Sequence, residues 1–505
     1  MAELTFYLIF VSFAVVLGSF QFGYHIGELN TPKSVISCET LPPDGSYDGF
    51  LSPCIPMNEG EFSLVTSIFN LGGLVGSLIS PRVADNKGRR WTLMFNIIFL
   101  LLGPTTMGFS SSFATLVIGR VIAGIGCGVV SVVVPMYLAE ISPAEYRGTF
   151  GVMNQLGIVT GILFSQVQGL YLSYIPGWRI IILFASALSI IQMVFLGFAV
   201  ESPKYLVTTP GGYQSAKRAL QRLRGKIDVE EELGGWRQVA SEEGLEGLIG
   251  QQQQEVTSNS QQHSELLSQN VPETDIVESP SVVFHARNIG VDDFSIWKFI
   301  TSLHYRPALM VLLFIQFTQQ FSGINAVIFY STTILSTILP TSSDLITVYI
   351  SIVNTIMTII SAYLMDKAGR RTLLLYSISL MSLCSILLAL GITHEISLLS
   401  SISIIGFVAT YAIGLGPIPF LIIPEIVDTR AVATASSLGL SVNWTSNFLV
   451  ASLFLEGRVI LGGNVFYIFA IYLIIAYIVA IRILPETKAK TVEEVWHDWN
   501  VKYVK

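Results

Sequence analysis

The chain has 505 residues, of which 51% are hydrophobic and 12% charged, with a mean hydropathy of +0.62 and a formal net charge of -7. A water-soluble domain carries charge on about a quarter of its residues, so an ordinary soluble globular protein is excluded and lipid is the expected solvent. The basic residues sit in short loops with no aromatic-basic patch, so nothing points to nucleic acid.

A helix needs roughly 20 apolar residues to cross a bilayer core. Apolar runs predict spans at 5–27, 62–84, 91–110, 115–139, 151–174 and 178–200, then 307–333, 343–365, 371–393, 399–427, 433–455 and 463–484. The first is read as a span because no small-residue cleavage site follows it. The predicted class is an all-α membrane protein with twelve helices in two pseudo-symmetric six-helix bundles. Its divisions are 1–200, a linker at 201–306, 307–486, and a tail at 487–505.

Lys and Arg set the expected orientation. Arg82, Lys87, Arg89 and Arg90 follow span 2, Lys367, Arg370 and Arg371 follow span 8, and Arg147 and Arg430 follow spans 4 and 10. The loop between spans 1 and 2 has only Lys33 among six acidic residues, Glu28, Glu39, Asp44, Asp48, Glu59 and Glu61. The positive-inside rule therefore predicts cytosolic termini and a cytosolic linker. Within that linker, Ala216 to Arg224 reads as amphipathic helix, whereas Gln251 to about Pro280 is rich in Gln and Ser and reads as disordered. Cys38 and Cys54 share one loop and can bridge if it faces an oxidising space, two free thiols being the alternative.

An internal repeat runs through the charged turns. Asn86-Lys-Gly-Arg-Arg-Trp-Thr-Leu recurs as Asp366-Lys-Ala-Gly-Arg-Arg-Thr-Leu, Glu140 as Glu425, and Glu201 as Glu486. The offsets are 370 − 89 = 281, 425 − 140 = 285 and 486 − 201 = 285. Two duplicated halves of this kind hold substrate between them at the membrane midplane.

Uncharged amides cluster where such a site would lie. Gln155, Ile158, Ile162 and Gln166 share one face of span 5, and Gln316, Gln319 and Gln320 occupy adjacent faces of span 7. Gly323 permits local deformation before Asn325, and Asn354 and Asn443 extend the polar lining. An amide offers both donor and acceptor, which suits a neutral polyhydroxylated solute. Holding helices together is the competing use, and it is the expected use of the paired glycines Gly72, Gly76, Gly124 and Gly128.

Four ordered motifs resemble the sugar porters of the major facilitator superfamily, most closely the facilitative hexose transporters. They are Pro135-Met-Tyr-Leu-Ala-Glu140 through Arg147-Gly148, Glu201-Ser-Pro-Lys, Gln319-Gln-Phe-Ser-Gly-Ile-Asn325 and Pro485-Glu-Thr-Lys. With its glutamine-rich insert, the chain looks like a fungal member. The resemblance implies sugar contacts at Gln155, Gln319, Gln320, Asn325, Asn354 and Asn443. It also implies ion pairs among Asp85, Arg89, Arg90, Glu140, Arg147 and Glu201, and among Asp366, Arg370, Arg371, Glu425 and Arg430, that latch one state of an alternating-access cycle.

Three departures bear on mechanism. His25 stands where proton-coupled relatives carry Asp, facing Arg120; this favours downhill uniport, with proton-coupled symport as the alternative. Ala412 replaces an acidic residue of hexose facilitators, and Phe420 replaces a Trp at the substrate-lining position. A non-transporting sensor or trafficking factor on the same fold is the third reading.

The expected ligand is a neutral hexose in a lipid bilayer, carried by a monomer, with no nucleotide, cofactor or metal. The six histidines, His25, His263, His285, His304, His394 and His497, have no metal-ligand spacing, and no enzyme is indicated. The plasma membrane is the expected location, with a vacuolar or other internal membrane as the alternative.

Overall fold

The computed structural model describes residues 4–39, 51–143, 146–236, 296–336, 343–488, 490 and 492–503. The expected glutamine-rich insert and the side chains of Arg147, Asp366 and Arg430 lie outside the described residues.

Among the described residues the first bundle is formed by span 1 (Phe6–Gly27), span 2 (Glu59–Lys87), span 3 (Arg89–Gly108), span 4 (Phe113–Ile141), span 5 (Arg147–Leu172) and span 6 (Gly177–Phe198). The second has span 7 (Arg306–Phe321 with Ile324–Ser336), span 8 (Ser343–Ala368), span 9 (Arg370–Thr393), span 10 (Ser397–Ile413 with Ile418–Leu421 and Ile423–Ile426), span 11 (Thr429–Leu461) and span 12 (Val465–Ile483). By length and apolarity alone spans 11 and 12 read as one run, Thr434–Ile483, but Gly462, at φ 58°, divides them.

Several helices outrun the apolar windows that predicted them, because caps rather than hydrophobicity set their ends. Asn58 and Glu61 form a reciprocal capping box at the start of span 2, and the Asp428 carboxylate accepts from the Ala431 amide at the start of span 11. Spans 7 and 10 are discontinuous. The first breaks at Gly323, whose φ of 88° a side chain would resist; the second breaks after Ile413, before Pro417 and Pro419.

Small residues draw the first bundle together. A methyl on Gly76 would lie 2.1 Å from the Ile125 carbonyl oxygen, and one on Gly124 would lie 2.2 Å from that of Phe69. Spans 2 and 4 therefore touch backbone to backbone, the close approach that small-xxx-small spacing permits. Between bundles, span 2 runs along span 11 and span 5 along span 8. Asn30 Nδ2 donates to the Ile328 carbonyl and the Ser331 hydroxyl at 3.0 and 2.7 Å, while Ser63 Oγ donates to the carbonyls of Ala451 and Ser452 at 3.1 and 3.0 Å. These bonds tie the halves together at the end that carries the Cys38–Cys54 disulfide.

At the opposite end the linker folds into short helices, Pro203–Thr208, Tyr213–Arg224 and 230–236, over a small core of Ala216, Leu220, Val229 and Leu233. Arg224 Nη1 donates to the last-turn carbonyl of Ile141 at 2.7 Å, and Thr5 Oγ1 to the Leu223 carbonyl at 2.7 Å. A terminal helix, Val492–Tyr503, docks through the Trp496 indole N–H on the Ile426 carbonyl at 2.8 Å.

Candidate functional site

Span 7 presents Gln316, Gln319 and Gln320 at i, i+3 and i+4, so all three reach the bundle interior, where each is buried. Asn443 of span 11 joins them. Its Nδ2 donates to Gln316 Oε1 at 2.8 Å and Gln319 Oε1 at 2.6 Å, and its Oδ1 accepts from Gln320 Nε2 at 2.9 Å. Asn325, just beyond the Gly323 break, donates to Gln320 Oε1 at 2.6 Å.

The network ends on the broken part of span 10. A proline has no N–H, so Pro417 and Pro419 leave the carbonyls four residues earlier, Ile413 and Leu415, without their helical donors. Ser361 Oγ of span 8 donates to the Ile413 carbonyl at 2.7 Å, and Gln319 Nε2 donates to that of Leu415 at 2.8 Å. Gln316 Nε2 closes the set on the Pro419 carbonyl at 2.9 Å. The same amides therefore line the interior and splint the discontinuous helix.

Of the expected lining residues, Gln319, Gln320, Asn325 and Asn443 are thus brought into one hydrogen-bonded group. Gln316, three residues before Gln319, is also a full member. Across from them, span 5 carries Gln155 and Ile158 half-buried and Ile162 and Gln166 buried. Gln166 Oε1 accepts from Thr31 Oγ1 at 2.8 Å. No hydrogen bond joins span 5 to the amide group among the described residues. Gln155 and Asn354 make no side-chain hydrogen bond there either, and Phe420 is half-buried on the short helix Ile418–Leu421.

A second polar cluster sits in the first bundle. His25, Glu28 and Arg120 are fully buried. His25 Nδ1 lies 2.9 Å from Glu28 Oε1, and Arg120 Nη1 donates to that oxygen and to the His25 carbonyl, both at 3.0 Å. The Arg120 guanidinium also lies over the Phe69 ring, 4.6 Å from its centroid. Arg120 therefore faces a carboxylate after all, one turn beyond the position where sequence comparison looks for one. His25 contributes its backbone carbonyl to the arginine and its ring to the carboxylate.

The charged turns of the two halves follow one pattern. Arg89 pairs with Glu140 at 3.0 Å and with Asp85 at 3.2 Å, and Arg370 pairs with Glu425 at 2.9 Å. Three expected ion-pair partners have other roles. Glu201 Oε1 accepts the amides of Arg89 and Arg90 at 2.8 and 2.9 Å, and Glu486 accepts those of Arg370 and Arg371 at 3.0 and 3.2 Å. Each carboxylate thus caps the N-terminus of a span distant in sequence, where free amides and the helix dipole attract an anion. The guanidiniums of Arg90 and Arg371 form no ion pair among the described residues. Arg90 donates to the carbonyls of Leu196 and Gly197, and Arg371 to that of Ile481, capping the C-termini of spans 6 and 12.

The family model described as "Sugar (and other) transporter" matches residues 11–264 and 285–499. A "probable metabolite transport protein" of Saccharomyces cerevisiae is 34% identical over 503 residues, covering 98% of this chain and 96% of that protein. A solute carrier family 2 facilitated glucose transporter, member 3, of Oryctolagus cuniculus is 33% identical over 506 residues, covering 98% of this chain and 92% of its own. Among solved structures, the major facilitator proton:xylose symporter XylE bound to 6-bromo-6-deoxy-D-glucose superposes with a TM-score of 0.72 at 19% identity, covering 98% of this chain and 99% of that one. Its partially occluded inward-open form, from E. coli, gives 0.73 at 19% identity over 96% of this chain and 100% of that one. The fold is that of the major facilitators, and the chain belongs to the sugar (and other) transporter family.

Proposed function

We propose that this protein carries a neutral hexose across the membrane by facilitative uniport, the two bundles rocking about a site at their interface. The observation that carries this reading is the amide group centred on Asn443, built from Gln316, Gln319, Gln320 and Asn325 without a charged side chain among them. Such a surface matches hydroxyl groups, each of which also donates and accepts. The facilitated glucose transporters among the relatives support the same solute class.

In this reading Gln155, Ile158, Ile162 and Gln166 form the opposing wall, and Asn354 and Phe420 complete the lining. The units that move are 1–200 and 307–486, with 201–306 and 487–505 on the cytosolic side. The Gly-Arg-Arg turns face the cytosol by the positive-inside rule, so the end tied by Asn30 and Ser63 faces outward and is closed. The ion pairs Asp85–Arg89–Glu140 and Arg370–Glu425 stiffen the inner end of each bundle separately. The protein acts as a monomer in the plasma membrane.

A specific observation favours a second reading, proton-coupled symport. Glu28 is a fully buried carboxylate held between the His25 imidazole and the Arg120 guanidinium. Counterflow of labelled glucose in proteoliposomes, with and without an imposed proton gradient, separates the two. Saturable, gradient-independent exchange supports uniport; accumulation driven by the gradient supports symport. Absence of flux for glucose and for a panel of hexoses and polyols moves the assignment to a sensor.

A further inference from the structure

The amide group accounts for the polar interior of the second bundle, and the seam between bundles holds further buried polar atoms without hydrogen-bond partners. Asn70 of span 2 is fully buried, and neither its Oδ1 nor its Nδ2 has a partner. On span 11, Trp444 Nε1 and Asn447 Oδ1 are likewise buried and unpartnered. In a membrane interior such groups are costly and normally find one another or a ligand.

The seam places these atoms at one level. Ser63 bonds to Ala451 and Ser452, whereas a methyl on Gly73 would lie 2.5 Å from the Trp444 ring. Spans 2 and 11 therefore run antiparallel in contact. Asn70, one turn before Gly73 and on the same face, falls level with Ser446 and Asn447. Trp444 adjoins Asn443, the centre of the amide group. Phe69, next to Asn70, lies 6.0 Å from the Trp444 ring, centroid to centroid.

We propose that Asn70 is a specificity-determining residue of the sugar site, supplied by the first bundle: its amide and the Asn447–Trp444 edge of span 11 hold one substrate hydroxyl between them. This rests on the sugar reading above and extends it across the seam. A hydroxyl there both donates and accepts, meeting the Asn70 amide and the Asn447 carbonyl together. Substrate then supplies hydrogen bonds that the closed seam lacks by itself, so binding favours closure of spans 2 and 11. A differential gain of this kind is what a ligand needs in order to shift a two-state equilibrium.

The test uses the full chain in proteoliposomes, with glucose and its 1-, 2-, 3-, 4- and 6-deoxy derivatives competing against labelled glucose counterflow. Asn70→Ala is expected to weaken glucose about tenfold, the loss of one well-made hydrogen bond. One deoxy derivative, the one lacking the hydroxyl held by Asn70, is expected to bind the variant as it binds the native protein. Asn70→Ser, which keeps a donor and an acceptor in less volume, is expected to restore part of the discrimination and provides the same comparison if the alanine variant is unstable. An equal loss for all six sugars, or no loss for any, overturns the proposal and makes Asn70 a packing residue. Failure of the sugar reading itself is seen earlier, as native protein in which no sugar exchanges or competes, and that result overturns both.

Discussion

Gly369 and Glu486 are so close that a methyl group on the glycine would lie 2.6 Å from a carboxylate oxygen of the glutamate. Gly88 and Glu201 repeat the relationship at 2.5 Å, and both glycines have positive φ, 84° and 98°. Gly369→Ala combines a strained backbone, about 1–2 kcal/mol, with displacement of a helix cap, about 0.5–2 kcal/mol. The expected outcome is a lowered thermal midpoint in detergent for Gly369→Ala and Gly88→Ala alike, with Glu486→Gln milder than either. A midpoint unchanged in both alanine variants would show that the carboxylates are not held against these turns.

Asn443→Ala removes three hydrogen bonds and takes away the partner of one atom on each glutamine, Gln316 Oε1, Gln319 Oε1 and Gln320 Nε2. Each buried unpaired group costs about 1–3 kcal/mol. Labelled-glucose exchange is expected to weaken at least tenfold, with a smaller effect for Gln166→Ala, whose amide contacts Thr31 rather than this group. Exchange kinetics in proteoliposomes measure both.

Removing Arg120 leaves the Glu28 carboxylate uncompensated in a fully buried site, a change of about 3–5 kcal/mol in comparable cases. Arg120→Met alone is expected to lower the thermal midpoint sharply, and adding Glu28→Gln should recover most of it. If the double variant is no more stable than the single one, the two residues do not act as a pair.

Cys38 and Cys54, 16 residues apart, close the loop after span 1. Just beside it the Trp178 indole N–H donates to the Pro53 carbonyl and Arg179 Nη2 to that of Ser52, at 2.9 and 2.6 Å. A cross-link over such a loop contributes about 3 kcal/mol. Cys38→Ser with Cys54→Ser is expected to raise proteolysis in this loop while Trp178 and Arg179 keep it partly anchored. Limited proteolysis with and without reductant checks this.

In the linker, Lys217 and Tyr213 both donate to the Glu230 carboxylate and hold its pKa below the ordinary 4.5. Because the folded value lies below the unfolded one, the contribution is complete above pH 4.5 and fades as pH falls through the lowered folded value. The pair is exposed, so the effect is small. Hydrogen-exchange protection of residues 213–236 is expected to hold steady from neutral pH down to this region and to fall only below it.

The duplicated charged turns were legible in advance because near-constant offsets expose the repeat, and the resemblance to sugar porters implies the pairs of Arg89 with Glu140 and Arg370 with Glu425. Arg90 and Arg371 were not, since their partners are main-chain carbonyls, which every residue carries. Glu201 lies 112 residues from the amide it caps, and nothing local to either residue announces the pairing. The amides of span 7 could be picked out by spacing, whereas their bonds to span 10 depend on which carbonyls Pro417 and Pro419 leave open. Glu28 stands one turn after His25 in the sequence, but its pairing emerges only once the position of Arg120 is known. Asn70 gives no sequence signal at all, because a lone amide in an apolar span is common and only its missing partners distinguish it.

The seal between the bundles is asymmetric in a way that bears on how the sequence can drift. Asn30 and Ser63 supply the side chains, and three of their four acceptors are backbone oxygens, those of Ile328, Ala451 and Ser452. Any residue that keeps span 11 helical still offers those oxygens. Random mutagenesis scored for closure should therefore find few allowed replacements at positions 30 and 63 and more at 452, while 451, fully buried, admits only small residues.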